Sequence, residues 1–430
     1  YGCYAKPQNN SPKTSLFATV SEQHRQYCTT SSKNICLEYH YKLPTTLNMV
    51  AMPKIVIAGG GIIGTSISYF LAKEHDTSVT LIDPKGIAPG ASSKAGGFLA
   101  RQWRDDTPLE PMHQLGFDLH EKIADELIET NIDYRRLTCS AVAIDETQTR
   151  KVQKPPSKKL EGVEWVDRAV VGSVSMADET NCAQVHPRKL CEQLWKYASE
   201  KQGSKLMEGK VKLAITDEST NAIKGVCLED GTSLEADILV VACGPWSHQA
   251  LQTWFPNIAT STFPDITGVK CHSMLVKPDT TFSQAVFFES DGALGDGDLE
   301  VYPRPDGDCY VNGFQGDEVI VDEEPGEEEV EQEYIDKLKR AMDVTSTALG
   351  GLQPHTVQAC YWPETGDGLP IIGNIPNHPG AFIATGHSVW GILQGPSTGK
   401  AVAELLMNGS SACLDLSPFD PLRFQRYRFI

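Results

Sequence analysis

The chain has 430 residues, enough for two domains or for one large composite domain. Its formal net charge of −18 argues against nucleic acid and anionic membranes as partners. The 12 cysteines are scattered without a C-x-x-C pair, so we predict no metal site or disulfide framework and expect a reducing, cytoplasmic compartment. No apolar run approaches about 18 residues, so no membrane span is predicted.

Residues 1–52 differ from the rest of the chain in composition. They are rich in Ser, Thr and Asn and poor in acidic residues, so we expect a disordered leader. A transit peptide into an organelle is the alternative, although Arg25 is the one arginine in this segment. Met49 and Met52 are both plausible start residues.

A strand–helix–strand unit follows the leader. Residues 54–58 are rich in Ile and Val and predict a buried parallel strand, and apolar periodicity over residues 62–73 predicts a helix. A second strand, residues 79–82, ends at Asp83, whose carboxylate can accept both hydroxyls of an adenosine ribose. An acid at this position makes NADP a less suitable ligand than NAD or FAD.

The loop between the first strand and the helix carries the motif G-x-G-x-x-G. Gly59 permits a tight turn, Gly61 lets a pyrophosphate approach the backbone, and Gly64 lets the helix pack closely on the strand. The first helical amides, at Ile62 and Ile63, would face the phosphates with the positive end of the helix dipole. The unit therefore predicts a dinucleotide site, with FAD and NAD both open.

The middle of the chain continues with mixed elements. Apolar residues at helical spacing predict a helix within residues 107–130, and "SAVAID" predicts a strand. A helix is predicted to start after Pro187 and to stop at Gly203. Two strands joined by a turn follow, and residues 236–244 predict a second buried parallel strand.

The last third contains a hairpin, an acidic segment and a final helix. Alternating runs on either side of Pro305–Asp308 predict a β-hairpin. The acidic run Gly316–Glu333 predicts a surface loop leading into a helix. A strand, a Gly-rich loop and a helix capped by Gly409 end the ordered part.

Strands typical of a nucleotide-binding sheet thus occur near both ends, with hairpin-rich sequence between them. We predict an α/β protein in which one domain is built from separated segments and a second domain is inserted. The predicted boundaries are residues 53–105, 181–255 and 359–411 for the first domain, residues 106–180 and 256–358 for the second, and residues 412–430 for a C-terminal tail.

The chain resembles the D-amino-acid oxidase superfamily of FAD oxidoreductases, most closely its glycine/sarcosine-oxidase-like branch. The resemblance spans about residues 53–410 and implies a Rossmann-like FAD-binding domain with an inserted α+β antiparallel-sheet substrate domain. The segments that carry it are the Gly59–Asp83 unit, "GASSKAGGFLAR" (90–101), "VHPRKL" (185–190), "VVACGPWS" (240–247), "GDGLPIIG" (366–373) and "ATGHSVWGI" (384–392).

This resemblance implies FAD as the cofactor and a set of further contacts to it. Ser92 and Ser93 would donate hydroxyls to the pyrophosphate, unless they only cap a helix. Gly96 and Gly97 would let the backbone pass under the flat flavin ring. The backbone of Val211 would pair with the adenine.

Two later segments complete the implied cofactor site. Gly244 would permit close approach to the ribityl or adenosine part, and Trp246 lies beside it or else packs in the core. The residues after Gly386, which are His387, Ser388 and Gly391, would open the last helix, whose positive end would face the flavin N1–C2 edge. We expect His387 to pack in this loop, because oxidation of a neutral amine needs no base.

The substrate end departs from the family pattern. Members that oxidise amino acids carry an Arg in "R-P-x-T-x-D-G", but here Trp362 occupies that position. Cys360 lines up with a cysteine that carries the flavin covalently in sarcosine-oxidase-like members, or else is a small buried apolar residue. Arg304, which shares a strand face with Tyr302, is the predicted carboxylate anchor.

Arg101 and Arg104, which follow the loop of Gly96 and Gly97 that is expected to pass under the flavin, are the alternative anchors for a substrate carboxylate. The resemblance implies an FAD-dependent oxidoreductase that oxidises a small amine or amino acid by hydride transfer to flavin N5. Oxygen is the expected acceptor, giving hydrogen peroxide. A flavin dehydrogenase with another acceptor is one alternative, and an FAD-bearing scaffold or trafficking protein with little turnover, favoured by Trp362, is the other.

Overall fold

The computed structural model describes residues 52–127, 131–144, 163, 165–168, 170–201, 203–255, 258, 263, 265–290 and 299–426. The predicted leader therefore lies outside the described residues, apart from Met52. The described residues belong to one compact unit, Met52–Ile430. No helix in the described ranges is long and apolar enough to cross a membrane.

The helices alternate with strands along most of the chain. They are α1 (Ile62–His75), α2 (Ala91–Lys94), α3 (Glu110–Glu126), α4 (Pro187–Ser199), α5 (Ser247–Trp254), α6 (Gln332–Thr345), α7 (Gly391–Asn408) and α8 (Arg423–Arg426).

The strands form sheets of two kinds, one largely parallel and the others largely antiparallel. They are β1 (Ile55–Ala58), β2 (Val79–Asp83), β3 (Phe98–Ala100), β4 (Arg135–Arg136), β5 (Thr138–Ile144), β6 (Val170–Ala177), β7 (Cys182–Gln184), β8 (Lys205–Glu208), β9 (Val211–Thr216), β10 (Ile223–Leu228), β11 (Ser233–Glu235), β12 (Ile238–Val241), β13 (Ile266–Val276), β14 (Gln284–Ser290), β15 (Leu299–Pro303), β16 (Cys309–Gly313), β17 (Glu318–Val319), β18 (Thr356–Thr365), β19 (Ile371–Asn374) and β20 (Ala381–Thr385).

The nucleotide-type sheet has the strand order β19-β20-β12-β1-β2-β8 among the described residues. All of its pairs are parallel except β19–β20. Its central strands are buried on both faces, which explains their unbroken Ile and Val runs. Helices α4 and α7 pack against α1, and the apolar residues of both faces form two cores. The carboxyl ends of β1, β2 and β12 therefore meet at one edge.

A larger mixed sheet runs in the order β17-β13-β16-β15-β14-β5-β6, and β18 pairs with β13 along its length. Helix α6 packs on one face of this sheet, where Met274, Val301 and Val311 join its apolar core. Because side chains alternate along a strand, Tyr302 and Tyr310 point to the opposite face. That face is turned towards α2 and β3.

The predicted fold class, a Rossmann-like FAD-binding fold combined with an antiparallel substrate sheet, is confirmed. The hairpin is present as β15–β16, and Gly409 ends α7 in the left-handed conformation, with φ of 79°. The domain boundaries stay a prediction. Strand β18 crosses the boundary predicted at residue 359, because it follows β13 as far as Thr365.

Candidate functional site

The glycine loop joins the end of β1 to the start of α1. Gly59 has φ of +117°, and a Cβ there would collide with the Ala242 carbonyl at the end of β12. A Cβ at Gly64 would collide with the Gly59 carbonyl, so α1 packs directly on the loop. These two glycines serve the tight turn and the close helix packing that the motif predicts.

Gly61 and Ser92 face each other across the start of α1. A Cβ at Gly61 would lie 3.0 Å from Ser92 Oγ, which accepts a hydrogen bond from the Ile62 amide at 2.9 Å. Gly61 is the N-cap residue of α1 and contributes no side-chain cap. Ser93 lies elsewhere: it is buried, and its hydroxyl donates to the Gly90 carbonyl at 3.3 Å. The structure thus brings Ser92, but not the Ser93 hydroxyl, to the loop.

Asp83, at the end of β2, stabilises this loop through hydrogen bonds from backbone amides. Its Oδ2 accepts a hydrogen bond from the Gly60 amide at 2.8 Å, and its Oδ1 accepts one from the Lys85 amide at 2.9 Å. Burial raises the pKa of the carboxyl group, while these backbone donors oppose the rise. The ribose contact expected of Asp83 stays a prediction, and it would have to use the remaining lone pairs.

Three further residues follow the carboxyl ends of strands of the nucleotide-type sheet. Val211 comes after β8, and Gly244 and Trp246 come after β12. Gly244 follows β12 with φ of +54°, and a Cβ there would meet no atom of the described residues within 4 Å, so the backbone borders open space in this part of the structure. Val211 is buried at the start of β9. The Trp246 indole donates to the Glu323 carbonyl at 2.6 Å, and its ring lies 3.2 Å from the Cβ position of Gly90.

These groups fit an FAD along the carboxyl edge of the sheet. The start of α1 suits a pyrophosphate, since a helix N-terminus carries a positive dipole end, although the Ile62 amide already donates to Ser92 Oγ. The space above Gly244 suits a close backbone approach. Gly61, Ser92 and Gly244 are therefore retained as proposed cofactor contacts, and Gly59 and Gly64 shape the loop that carries them.

The flavin loop, residues 94–97, lies against the free face of the mixed sheet. The Tyr302 ring fills the position that a Cβ at Gly96 would take. Gln358 Nε2 donates to the Lys94 carbonyl at 3.0 Å. Gly97 has φ of +81°, and its missing Cβ makes room for the Val185 carbonyl. In this structure Gly96 and Gly97 thus allow close packing of the loop against protein.

Arg304 is a buried cation beside this loop. Its side chain is 5% exposed, its Nη2 donates to the Ala95 carbonyl at 3.3 Å, and its guanidinium carbon lies 5.5 Å from the Tyr310 ring centroid. Within the described residues its Nε has no hydrogen-bond partner, and its guanidinium forms no ion pair with a carboxylate. Burial lowers the pKa of the guanidinium from its ordinary value. A buried, unpaired cation of this kind favours an anionic ligand.

Five aromatic side chains form a contiguous wall beyond the loop. Phe98 lies 5.3 Å from Tyr302 in a stacked arrangement, and neighbouring ring centroids along the wall are 5.1–5.9 Å apart. The members are Phe98, Trp103, Phe287, Tyr302 and Trp390. Sequence reasoning missed all but Tyr302. The aromatic residues within "GGFLARQW" were the available signal.

The structure separates Trp362 from Tyr302 and Arg304. Tyr302 pairs through Tyr310 with Leu275 of β13, whereas Trp362 pairs with Val269. Six positions along a strand correspond to about 20 Å. The four substrate-end residues predicted from sequence therefore do not form one cluster.

Cys360 lies between those two groups, opposite Cys271 in the β13–β18 ladder. Both thiols are buried and free. Burial raises the pKa of the Cys360 thiol to about 12, so it is protonated near neutral pH. This environment suits a small apolar residue better than a nucleophile.

The two alternative arginines differ in their partners. Arg101 is paired with Asp118 through two hydrogen bonds of 3.0 and 3.2 Å, so its charge is already matched. Arg104 lies over the Trp390 ring, 5.1 Å from its centroid. Arg104 also stabilises the charge of Glu364, although burial raises the pKa of that carboxyl group. Of these two, Arg104 is the better alternative anchor.

The loop before α7 is shaped by two unusual backbone conformations. Gly386 has φ of +77°, and a Cβ there would collide with the Thr365 methyl group. Ser388 has φ of +49°, and α7 begins at Gly391. His387 is buried, its Nε2 lies 3.0 Å from Thr398 Oγ1, and burial lowers its pKa to about 3. A neutral histidine held in this way supports the packing role.

Comparison with known proteins identifies relatives over nearly the same region. The model of the family described as FAD dependent oxidoreductase matches residues 54–405. A Schizosaccharomyces pombe protein named as an oxidoreductase is 31% identical over 395 residues, which is 85% of this chain and 97% of the relative. The glycine oxidase of Geobacillus kaustophilus is 26% identical over 401 residues, which is 86% of this chain and 96% of the relative.

Solved structures share the fold. The crystal structure of that glycine oxidase aligns with a TM-score of 0.68 at 22% identity, covering 86% of this chain and 98% of the other. L-proline dehydrogenase from P. horikoshii aligns with a TM-score of 0.70 at 23% identity, covering 87% and 98%.

Proposed function

Because the chain belongs to the FAD dependent oxidoreductase family, we propose that it oxidises a small amine or amino acid and passes the electrons to oxygen. The substrate carbon next to nitrogen loses a hydride, the resulting imine is hydrolysed, and oxygen takes up the two electrons as hydrogen peroxide. FAD supplies the hydride acceptor, its N5 atom, when it is bound. The glycine oxidases among the relatives support this reaction class.

The observation that carries the proposal is the unpaired guanidinium of Arg304. It is buried against the flavin loop, where a substrate carboxylate would offset the cost of burying the cation. A planar guanidinium can hold a carboxylate through two parallel hydrogen bonds. Arg304 follows directly after β15 and lies over Tyr310, which stacks on Tyr302 of the aromatic wall, so the anchor and the wall adjoin.

The aromatic wall gives the site its second property. Phe98, Phe287 and Trp103 present apolar faces beyond the flavin loop. Such a wall would exclude water from the reacting carbon and would hold the apolar part of an amine by packing. His387 stays neutral and holds the loop before α7, so we assign it no proton transfer.

A peroxide-release assay tests the proposal. The FAD-loaded protein is mixed in air with a panel of N-methylated amines, glycine, and L- and D-amino acids. We expect peroxide with at least one carboxylate-bearing amine. Peroxide with none of them, while the flavin is reduced by one, would make the protein a dehydrogenase. Neither peroxide nor flavin reduction with any compound would favour the scaffold alternative.

A further inference from the structure

The acidic strap, residues 321–331, is more than the surface loop that its composition predicts. Its carboxylates form ion pairs with lysines from separate parts of the chain. The pairs are Glu323–Lys270 at 3.3 Å, Glu324–Lys210 at 2.6 Å, Glu327–Lys85 at 2.5 Å and Glu328–Lys94.

Three of these lysines adjoin residues that the sequence predicts to contact the cofactor. Lys85 lies two residues after Asp83, Lys94 follows Ser92 and Ser93 in α2, and Lys210 precedes Val211. The strap also binds the segment after β12, since the Trp246 indole donates to the Glu323 carbonyl. The strap therefore connects the region of residues 83–94 with the segments of Val211 and Trp246, which lie more than 100 residues further along the chain.

The strap is held most firmly at Glu328. Its side chain is fully buried, and its partner Lys94 is also hydrogen-bonded to the Ala359 carbonyl at 2.8 Å. Removal of one partner of a buried pair leaves an uncompensated charge, which is strongly unfavourable. Next to this pair, the Cβ position of Gly326 lies 3.3 Å from Pro89. The middle of the strap is thus packed onto the loop that leads into α2.

We propose that the acidic strap is a clasp that closes over the adenosine side of the bound FAD and slows its release. The ion pairs hold the strap across the segments of Asp83, Val211 and Trp246, where the adenosine is expected. FAD enters and leaves when these pairs break. The inference concerns cofactor retention, so it does not depend on which substrate is oxidised.

The pairs Glu324–Lys210 and Glu327–Lys85 are half exposed, with side-chain exposures of 45–58%. Exposed pairs are screened by salt, because the Debye length falls to about 10 Å at 0.1 M ionic strength. The clasp therefore predicts that FAD leaves faster as salt concentration rises. Buried apolar contacts to the cofactor would give no such dependence.

The test measures FAD release from the loaded protein by the rise in flavin fluorescence after dilution. Glu327→Lys should release FAD about fivefold faster than wild type, since an exposed pair contributes up to about 1 kcal/mol. The double variant Lys85→Glu/Glu327→Lys restores the pair with reversed charges and should return the rate towards wild type. Glu328→Gln, which breaks the buried pair, should have a larger effect.

Glu235→Lys is the matched control, because Glu235 forms an exposed pair with Lys54 at the amino end of β1, opposite the carboxyl edge that bears the cofactor segments. It changes the net charge by the same amount as Glu327→Lys. Equal release from Glu327→Lys and Glu235→Lys, or release from wild type that does not depend on salt, would overturn the clasp. A wild-type protein that never binds FAD would instead contradict the cofactor assignment.

Discussion

At the scale of single residues, Gly61 is the position where a side chain should matter most for the cofactor. A Cβ there would point at Ser92 Oγ and into the space expected for the pyrophosphate. We predict that Gly61→Val loses most of its FAD, measured as flavin absorbance per chain after purification. Gly172→Val is the control, since no atom of the described residues lies within 4 Å of its Cβ position. Full FAD in Gly61→Val would place the pyrophosphate elsewhere.

Arg304 is the residue whose charge should matter for the substrate. A hydrogen bond to a charged group contributes about 1.5–3 kcal/mol, so Arg304→Ala should weaken a carboxylate inhibitor by about ten- to a hundredfold. Binding is read from the flavin spectrum, and FAD content should not change. Arg104→Ala is the comparison. If only that variant loses affinity, the anchor is Arg104 and the assignment of Arg304 is wrong.

Cys360 tests whether the cofactor is covalently held. Its thiol is buried and protonated, with a pKa raised to about 12, so we predict that acid precipitation releases the flavin and leaves a colourless pellet. Cys360→Ser should behave in the same way. A yellow wild-type pellet that turns colourless in Cys360→Ser would establish the covalent link instead.

At the scale of elements, the C-terminal tail is held by a specific pair. Arg423 donates to both oxygens of Asp367, at 2.8 and 3.1 Å, and also to the Leu369 carbonyl at 2.8 Å. Burial opposes ionisation of Asp367, but Arg423 holds its pKa below the ordinary value. We predict that Asp367→Asn lowers the free energy of unfolding by about 1–3 kcal/mol, measured in urea.

The pH dependence of this pair provides a second check on the prediction. Because the folded pKa of Asp367 is depressed, the stabilisation is present above the unfolded pKa and is lost as the pH falls through the folded pKa. The difference between wild type and Asp367→Asn should therefore shrink in acid. A difference that does not change with pH would mean that Asp367 acts only through packing.

Some elements of the fold could be predicted from the sequence and others could not. The glycine loop could be predicted, because Gly59 and Gly64 meet local backbone requirements that the G-x-G-x-x-G motif indicates directly. Strand β13 could not be predicted, because buried polar residues such as His272 and Ser273 interrupt the alternation of apolar and polar residues that indicates a strand. The contacts of the strap were also missed, since Glu323 and Glu328 meet lysines far away in sequence.

The same limit applied to the candidate site. The segments proposed to hold the cofactor lie at the ends of strands, so the local motif that predicts their role also predicts their position in the fold. The substrate end depends on the register across several strands, which displaces Trp362 from Tyr302 by six positions, about 20 Å along the strand direction. No pattern in one sequence reports that register.

At the scale of the whole molecule, buried histidines predict a fall in stability in acid. Burial lowers the pKa values of His113 and His120 to about 3 and 4 and that of His387 to about 3. Below about pH 6.5 these histidines bind protons in the unfolded chain but stay neutral in the folded protein, so the free energy of unfolding falls as the pH falls. Each histidine can contribute up to about 1.4 kcal/mol per pH unit.

Urea unfolding at pH 7 and at pH 5 measures this effect. We expect a lower midpoint at pH 5 and a weaker pH dependence in His120→Gln. Equal midpoints at the two pH values would mean that the histidines are protonated in the folded protein.

The most direct test of amine oxidation is an anaerobic titration of the FAD-loaded protein with small amines and amino acids, followed by the flavin absorbance. Without oxygen, hydride transfer from a substrate leaves the flavin reduced, so its absorbance bleaches. We predict that at least one amine with a carboxylate bleaches the flavin, and that it does so more weakly in Arg304→Ala at the same concentration. Bound FAD that a chemical reductant bleaches but no amine does would contradict the proposed function.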